Sequence, residues 1–73
     1  MNKYYFSLNI SYERFLPFYQ GQVDTVQVID DAGRRIDIPA KHFRQFLTRE
    51  GIFGRFELIT QVDGKFITLN RIY

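Results

Sequence analysis

Proton transfer near neutral pH most often falls to histidine, and this sequence has a single one, His42, between Lys41 and Phe43. A general base needs partners to orient it, and no Ser/Asp set or second ligand stands at a recognisable spacing from His42. It reads as a polar residue on the exposed side of a helix. There is no cysteine, which excludes thiolate nucleophiles, thiolate zinc sites and disulfide staples. Asp30 and Asp31 are adjacent carboxylates. Hard cations need six or more oxygens from a spaced loop, whereas Asp side chains bond the backbone locally in turns, so both are read as turn residues. Gly51-Ile52-Phe53-Gly54 has the look of a phosphate-cradling loop but lacks the following Lys-Ser/Thr and helix start. Gly51 reads as a helix stop and Gly54 as a bulge or close backbone approach. No catalytic residue, cofactor or metal is expected, and the chain is not expected to be an enzyme.

Binding chemistry has more to draw on. Seven of the ten cations are arginine. Arg34, Arg35, Arg44, Arg55 and Arg71 form a candidate anion or nucleic-acid set, because guanidinium forks grip phosphate and stack on aromatic rings. Small β-rich domains use basic strands and exposed aromatics in this way. Asp24, Asp30, Asp31, Asp37, Glu50 and Glu57 are interspersed, and the net charge is only +2. Mixed signs blunt the field, and ion pairs on a solvated face account for most of these charges.

The elements that must carry these residues follow from periodicity. Tyr4, Phe6, Leu8 and Ile10 alternate with polar positions and predict a strand. Ser11 suits a helix N-cap with Glu13 in the first turn, and Phe15, Phe18 and Tyr19 share one helical face. Pro17 predicts a short or distorted helix over Ser11–Tyr19, and Gly21 a stop. Val23–Ile29 and Arg34–Ile38 flank the turn Asp30-Asp31-Ala32-Gly33 and predict a hairpin. Pro39 opens a second helical segment with Ala40, Phe43, Phe46 and Leu47 on its apolar face. Ile52–Ile59 and Phe66–Ile72 flank Asp63-Gly64, a signal for a two-residue type I′ turn. That turn predicts Val62 opposite Lys65, Thr60 opposite Ile67, Leu58 opposite Leu69 and Phe56 opposite Arg71. The fold expected is α+β, mainly β: one domain over residues 1–73, in the order β-α-β-β-α-β-β. Five short antiparallel strands would form a curved sheet or small open barrel with two short helices.

Eight Phe and five Tyr in 73 residues exceed what a small core needs. Phe6, Phe15, Phe18, Phe43, Phe46 and Phe56 sit at core phases. Phe53, Phe66, Tyr5 and Tyr73 do not. With Phe53 and Phe66, Ile59 and Ile72 make the second face of the last hairpin unusually apolar. Phe53, Ile59, Phe66 and Ile72 are therefore the expected interface residues. A chain this short buries only about 60% of its unfolded surface, and pairing adds what it lacks. The expected partner is a second copy, giving a homodimer; nucleic acid or another protein is the alternative.

Longer stretches are familiar. Phe6-Ser7-Leu8-Asn9-Ile10-Ser11-Tyr12-Glu13 with Phe15-Leu16 and Tyr19-Gln20-Gly21 resembles a family of small uncharacterised gamma-proteobacterial proteins classed as a domain of unknown function. So do Asp31–Arg35 with Ile38-Pro39-Ala40, and Phe46-Leu47-Thr48 with Gly51-Ile52 and Gly54-Arg55-Phe56-Glu57-Leu58. The resemblance spans nearly the whole chain. It implies a free-standing bacterial protein and brings no site residue with it. No export signal or apolar run long enough for a membrane span is visible, so no membrane association and a cytoplasmic location are expected.

Overall fold

The computed structural model describes residues Met1–Tyr73. The chain runs β1 (Asn2–Ser11), α1 (Tyr12–Tyr19), β2 (Thr25–Ile29), β3 (Arg35–Pro39), a 3-10 helix (Ala40–Phe46), β4 (Gly51–Thr60) and β5 (Phe66–Arg71). The five strands are antiparallel, but they divide into two sheets, β1-β4-β5 and β2-β3. The single curved sheet or barrel expected from the strand count is corrected: no barrel closes. The cause lies at β1. It pairs with β4 over its full length, Asn2 opposite Thr60 through Ser11 opposite Gly51. Its one backbone bond to the β2-β3 hairpin is at the turn, where the Asp31 N–H donates to the Tyr5 carbonyl at 2.8 Å.

The helical segments show their sequence logic directly. Ser11 caps α1, its hydroxyl accepting from the Arg14 N–H at 3.3 Å. At the other end the Gln22 N–H reaches the Pro17 carbonyl (2.9 Å) and the Gly21 N–H the Phe18 carbonyl (3.3 Å), the paired bonds of a glycine-terminated helix. The second segment is not an α-helix ended by Gly51. Ala40, Phe43 and Phe46 recur every three residues, so three residues per turn stack them on one stripe. The helix ends at Phe46, and a tight turn through Arg49-Glu50 follows, with Thr48 and Gly51 exchanging backbone bonds of 3.0 and 3.1 Å. Gly54 lies where a Cβ would meet the Tyr73 carbonyl oxygen at 2.6 Å, the close approach its position suggested.

Both hairpins use one turn design. The Gly33 N–H bonds the Asp30 carbonyl (2.9 Å) while the Asp30 N–H bonds the Arg34 carbonyl (3.0 Å). The same two bonds recur from Gly64 to Gln61 (2.9 Å) and from Gln61 to Lys65 (2.8 Å). Each is a three-residue loop closed by a glycine at positive φ, +82° and +94°. The expected type I′ turn needs positive φ at both central residues, and Asp63 does not supply it. The longer loop shifts the register by one, so Phe66 and not Ile67 faces Thr60. A bulge then absorbs the extra residue and restores the predicted Leu58–Leu69 and Phe56–Arg71 pairs.

The core lies between the inner face of the three-stranded sheet and a second layer made of α1, the β2-β3 hairpin and the 3-10 helix. Eleven buried apolar residues form it, among them Phe6, Phe15, Val26, Ile38, Phe43, Ile52, Phe56 and Leu69. Phe56 is the hub. Its ring stacks on Phe6 at 5.6 Å and meets Phe43 (5.9 Å) and Phe46 (5.1 Å) edge-on.

Candidate interaction surface

Alternation along β1, β4 and β5 turns Tyr5, Ser7, Phe53, Arg55, Glu57, Ile59, Asn70 and Ile72 to the outer face of the sheet. The centre of that face is polar. The Tyr5 hydroxyl donates to Glu57 Oε2 at 2.8 Å, and Asn70 Nδ2 lies 3.5 Å from Glu57 Oε1. Donating that bond to the Glu57 carboxylate holds the Tyr5 hydroxyl protonated to a higher pH than an ordinary phenol. Arg55 bonds Ser7 Oγ at 3.1 Å and both carboxylate oxygens of Asp31, at 3.0 and 2.5 Å. The pairing lowers the Asp31 pKa and raises that of Arg55.

Three of the four predicted interface residues, Phe53, Ile59 and Ile72, lie on this face but not together. Ile59 is six positions from Phe53 on β4, about 20 Å along the strand, with Arg55 and Glu57 between them. Phe53 and Ile72 flank Arg55 at the other end, each 42% exposed. For Phe66 the expected face is corrected. The turn and bulge place it opposite the buried Thr60, on the inner side. There its ring lies flat on His42, centroids 3.6 Å apart. His42 is accordingly half-buried and not on an exposed helix side. Burial, with Lys41 beside it, lowers its pKa.

The adjacent aspartates clasp the edge of β1 from both sides. Asp31 reaches the outer face as described. Asp30, its side chain 1% exposed, accepts from the backbone N–H of Ala32 (3.1 Å) and Arg34 (2.7 Å) and from Arg34 Nε (2.8 Å). Burial works to raise the Asp30 pKa, but these bonds and the Arg34 charge together lower it. The Arg34 guanidinium lies 4.5 Å over the ring of Tyr4, on the inner side of β1.

The arginines do not converge. Arg34 and Arg55 are held by Asp30 and Asp31. Arg34 and Arg35 share a shallow cleft with Tyr4, Asp37 and Thr60. Arg44 lies beside Tyr19 near the end of α1, and Arg71 donates to the Tyr73 carbonyl at 2.6 Å. No group of three or more His, Asp or Glu side chains is placed to hold a metal ion, and no helix is long and apolar enough to cross a membrane.

What sequence reasoning missed is the strand edge. β5 is bonded to β4 on one side only. Of the stretch from Phe66 to Tyr73, only Thr68 and Leu69 are not exposed. Phe66 (38%), Ile67 (41%), Ile72 (42%) and Tyr73 (82%) put four exposed apolar side chains on it. The reading by alternation assigned Ile67 to the core face. Only the bulge, invisible in the alternation, frees it.

Residues 2–72 match the model of the family described as a protein of unknown function, DUF2835, and the chain belongs to that family. No curated protein and no solved structure matches it.

Proposed function

We propose that this member of the DUF2835 family is a non-enzymatic interaction module that self-associates through its C-terminal strand. The observation that carries the reading is that β5 is bonded on one side only, and that it and the two residues after it leave Ile67, Ile72 and Tyr73 exposed. An unpaired edge rich in apolar side chains is a template for association. Phe53, diagonal to Ile72 on the outer face, extends the same patch. Sedimentation equilibrium across a concentration series tests it. The weight-average mass rises from that of the 8.8 kDa chain toward twice that value. A mass fixed at one chain up to the highest attainable concentration overturns the reading.

Nucleic-acid binding has less behind it. Two of the five arginines proposed for it already hold carboxylates, and the others point to different parts of the surface. Binding of single-stranded RNA or DNA that weakens steeply with salt would favour it instead.

A further inference from the structure

We infer that self-association proceeds edge to edge, β5 pairing antiparallel with β5 of a second copy to make one continuous six-stranded sheet, with Asn70 opposite its own counterpart on the two-fold axis. This rests on the proposed self-association and adds its geometry. The Ile72 N–H donates to the Arg55 carbonyl at 2.8 Å. The alternation of an antiparallel ladder therefore turns the backbone groups of Asn70 and Thr68 toward β4 as well, and those of Leu69 and Arg71 outward. Two outward residues from each copy supply the four central bonds of a new ladder, with Leu69 of one chain exchanging both with Arg71 of the other.

The side chains select this register. The strand is apolar at both ends, Phe66-Ile67 and Ile72-Tyr73, and polar at Thr68 and Asn70. Antiparallel self-pairing brings each apolar beginning to the other copy's apolar end. With Asn70 on the axis, Ile67 faces Tyr73 and Thr68 faces Ile72, aromatic and β-branched pairs of the kind that stabilise sheets. The two amides meet on the outer face, where each can donate to the other. Sliding by one pair to set Arg71 against its own copy would oppose like charges. Sliding the other way would move Ile67 off Tyr73 and onto Arg71, whereas in the chosen register Arg71 faces Leu69. The two-fold axis stands normal to the sheet, so both helical layers stay on the same side and both outer faces join. The bulge at the start of β5 limits the regular ladder to a few residues, so the partner that fits is another copy of this short strand.

Cysteine cross-linking tests the pairing, and the cysteine-free chain makes it unambiguous. Facing residues that are not hydrogen-bonded to each other have Cα atoms about 4.5 Å apart, within disulfide reach. Asn70→Cys is therefore expected to give a disulfide dimer under mild oxidation. In Thr68→Cys the two thiols sit about 13 Å apart along the strands, and the chain stays uncrosslinked. Arg71→Pro deletes two of the four central bonds without touching the β4 ladder, and is expected to weaken dimerisation about thirtyfold. Circular dichroism identifies a variant that has lost its fold, and cross-linking of the conservative Asn70→Cys then decides alone. A dimer by sedimentation with no Asn70 cross-link overturns the edge pairing and leaves self-association standing. A strict monomer overturns both.

Discussion

Phe53 and Phe56 stand three residues apart on β4 and face opposite ways, so truncating each tests the division of the aromatic residues between core and surface. Phe56 is 0% exposed and contacts three other aromatic rings. Phe53 is 42% exposed and takes part in none of these ring pairs. Phe→Ala in a close-packed core costs about 3–5 kcal/mol through lost transfer energy and the cavity left behind. Phe56 falls at the upper end, because its ring-to-ring contacts add to simple burial. A domain of this size has about 4–11 kcal/mol of total stability at the usual value per residue, so Phe56→Ala removes much or all of it. Phe53→Ala leaves no cavity and costs about 1 kcal/mol, from partial burial and lost strand preference. In urea, with a slope of about 1 kcal/mol/M for a small chain, the midpoints separate by about 2–4 M. Far-UV circular dichroism at one low chain concentration reads them. Should Phe56→Ala not fold, Phe56→Leu keeps the comparison, with a smaller loss that still exceeds that of Phe53→Ala. Equal midpoints, or the larger loss at Phe53, would refute the face assignment and the register on which the interaction surface rests.

Three further outcomes follow from the same geometry. Gly51 has φ +124°, and a Cβ there would lie 2.0 Å from the Ile10 carbonyl oxygen, whereas Gly64 has φ +94° and open space around it. Gly51→Ala should therefore lower the melting temperature far more than Gly64→Ala, whose left-handed backbone alone costs about 1–2 kcal/mol; similar melting temperatures would contradict the close approach. Asp30→Ala orphans two turn N–H groups beside a buried site, while Asp31→Ala breaks an ion pair whose Asp31 side chain is 59% exposed. The urea midpoint should fall clearly for the first and slightly for the second, and the second alone should become negligible at high salt. His42 has a pKa below the ordinary 6.5. The unfolded chain then binds the proton more readily, so the stabilising difference is full above about pH 6.5 and is lost as pH falls through the lowered value. His42→Phe should flatten the decline in urea midpoint between neutral pH and pH 5, and an unchanged slope would remove His42 as its source.

Much of the strand pattern was legible because period-two alternation reports directly on a half-buried sheet. Ser11, Glu13 and Pro17 mark α1 by local chemistry that tertiary contacts do not override. The second helix has two periods in its sequence: Ala40, Phe43 and Leu47 fit an α-helical face, and Ala40, Phe43 and Phe46 fit three residues per turn, the pitch the structure adopts. The partition into two sheets was not legible. It depends on where the Asp30–Gly33 turn docks, and nothing in the sequence near Asp31 points to Tyr5, Ser7 or Arg55 far away in the chain. The surface residues depended on a finer detail still. A turn one residue longer than Asp63-Gly64 implies and a bulge one residue wide cancel from Thr68 onward, so the pairs Leu58–Leu69 and Phe56–Arg71 came out right. The cancellation fails ahead of the bulge, at Lys65, Phe66 and Ile67: Lys65 closes the turn with Gln61 and not with the expected Val62.

The two edges of the three-stranded sheet have been treated differently, and that contrast gives the self-association reading its weight. At β1 the neighbouring hairpin donates a backbone bond to Tyr5. Its adjacent aspartates then reach around the strand, Asp31 to Arg55 outside and Asp30 to Arg34 over Tyr4 inside. These ion pairs fix the turn of the hairpin against the middle of the ten-residue edge of β1. At β5 no other strand is bonded beyond it, and no charge pair crosses it. The bulge and Lys65 are the only edge-blunting features near its start, and they protect the end that His42 already covers. If β5 were simply a solvated edge, polar residues at positions 67, 72 and 73 would serve better than Ile, Ile and Tyr. Replacing Ile67, Ile72 and Tyr73 together by Thr should therefore cost the isolated chain less than Phe56→Ala does and abolish the rise in sedimenting mass. A loss as large as that of Phe56→Ala at a concentration where the chain is monomeric would instead assign those side chains to the fold.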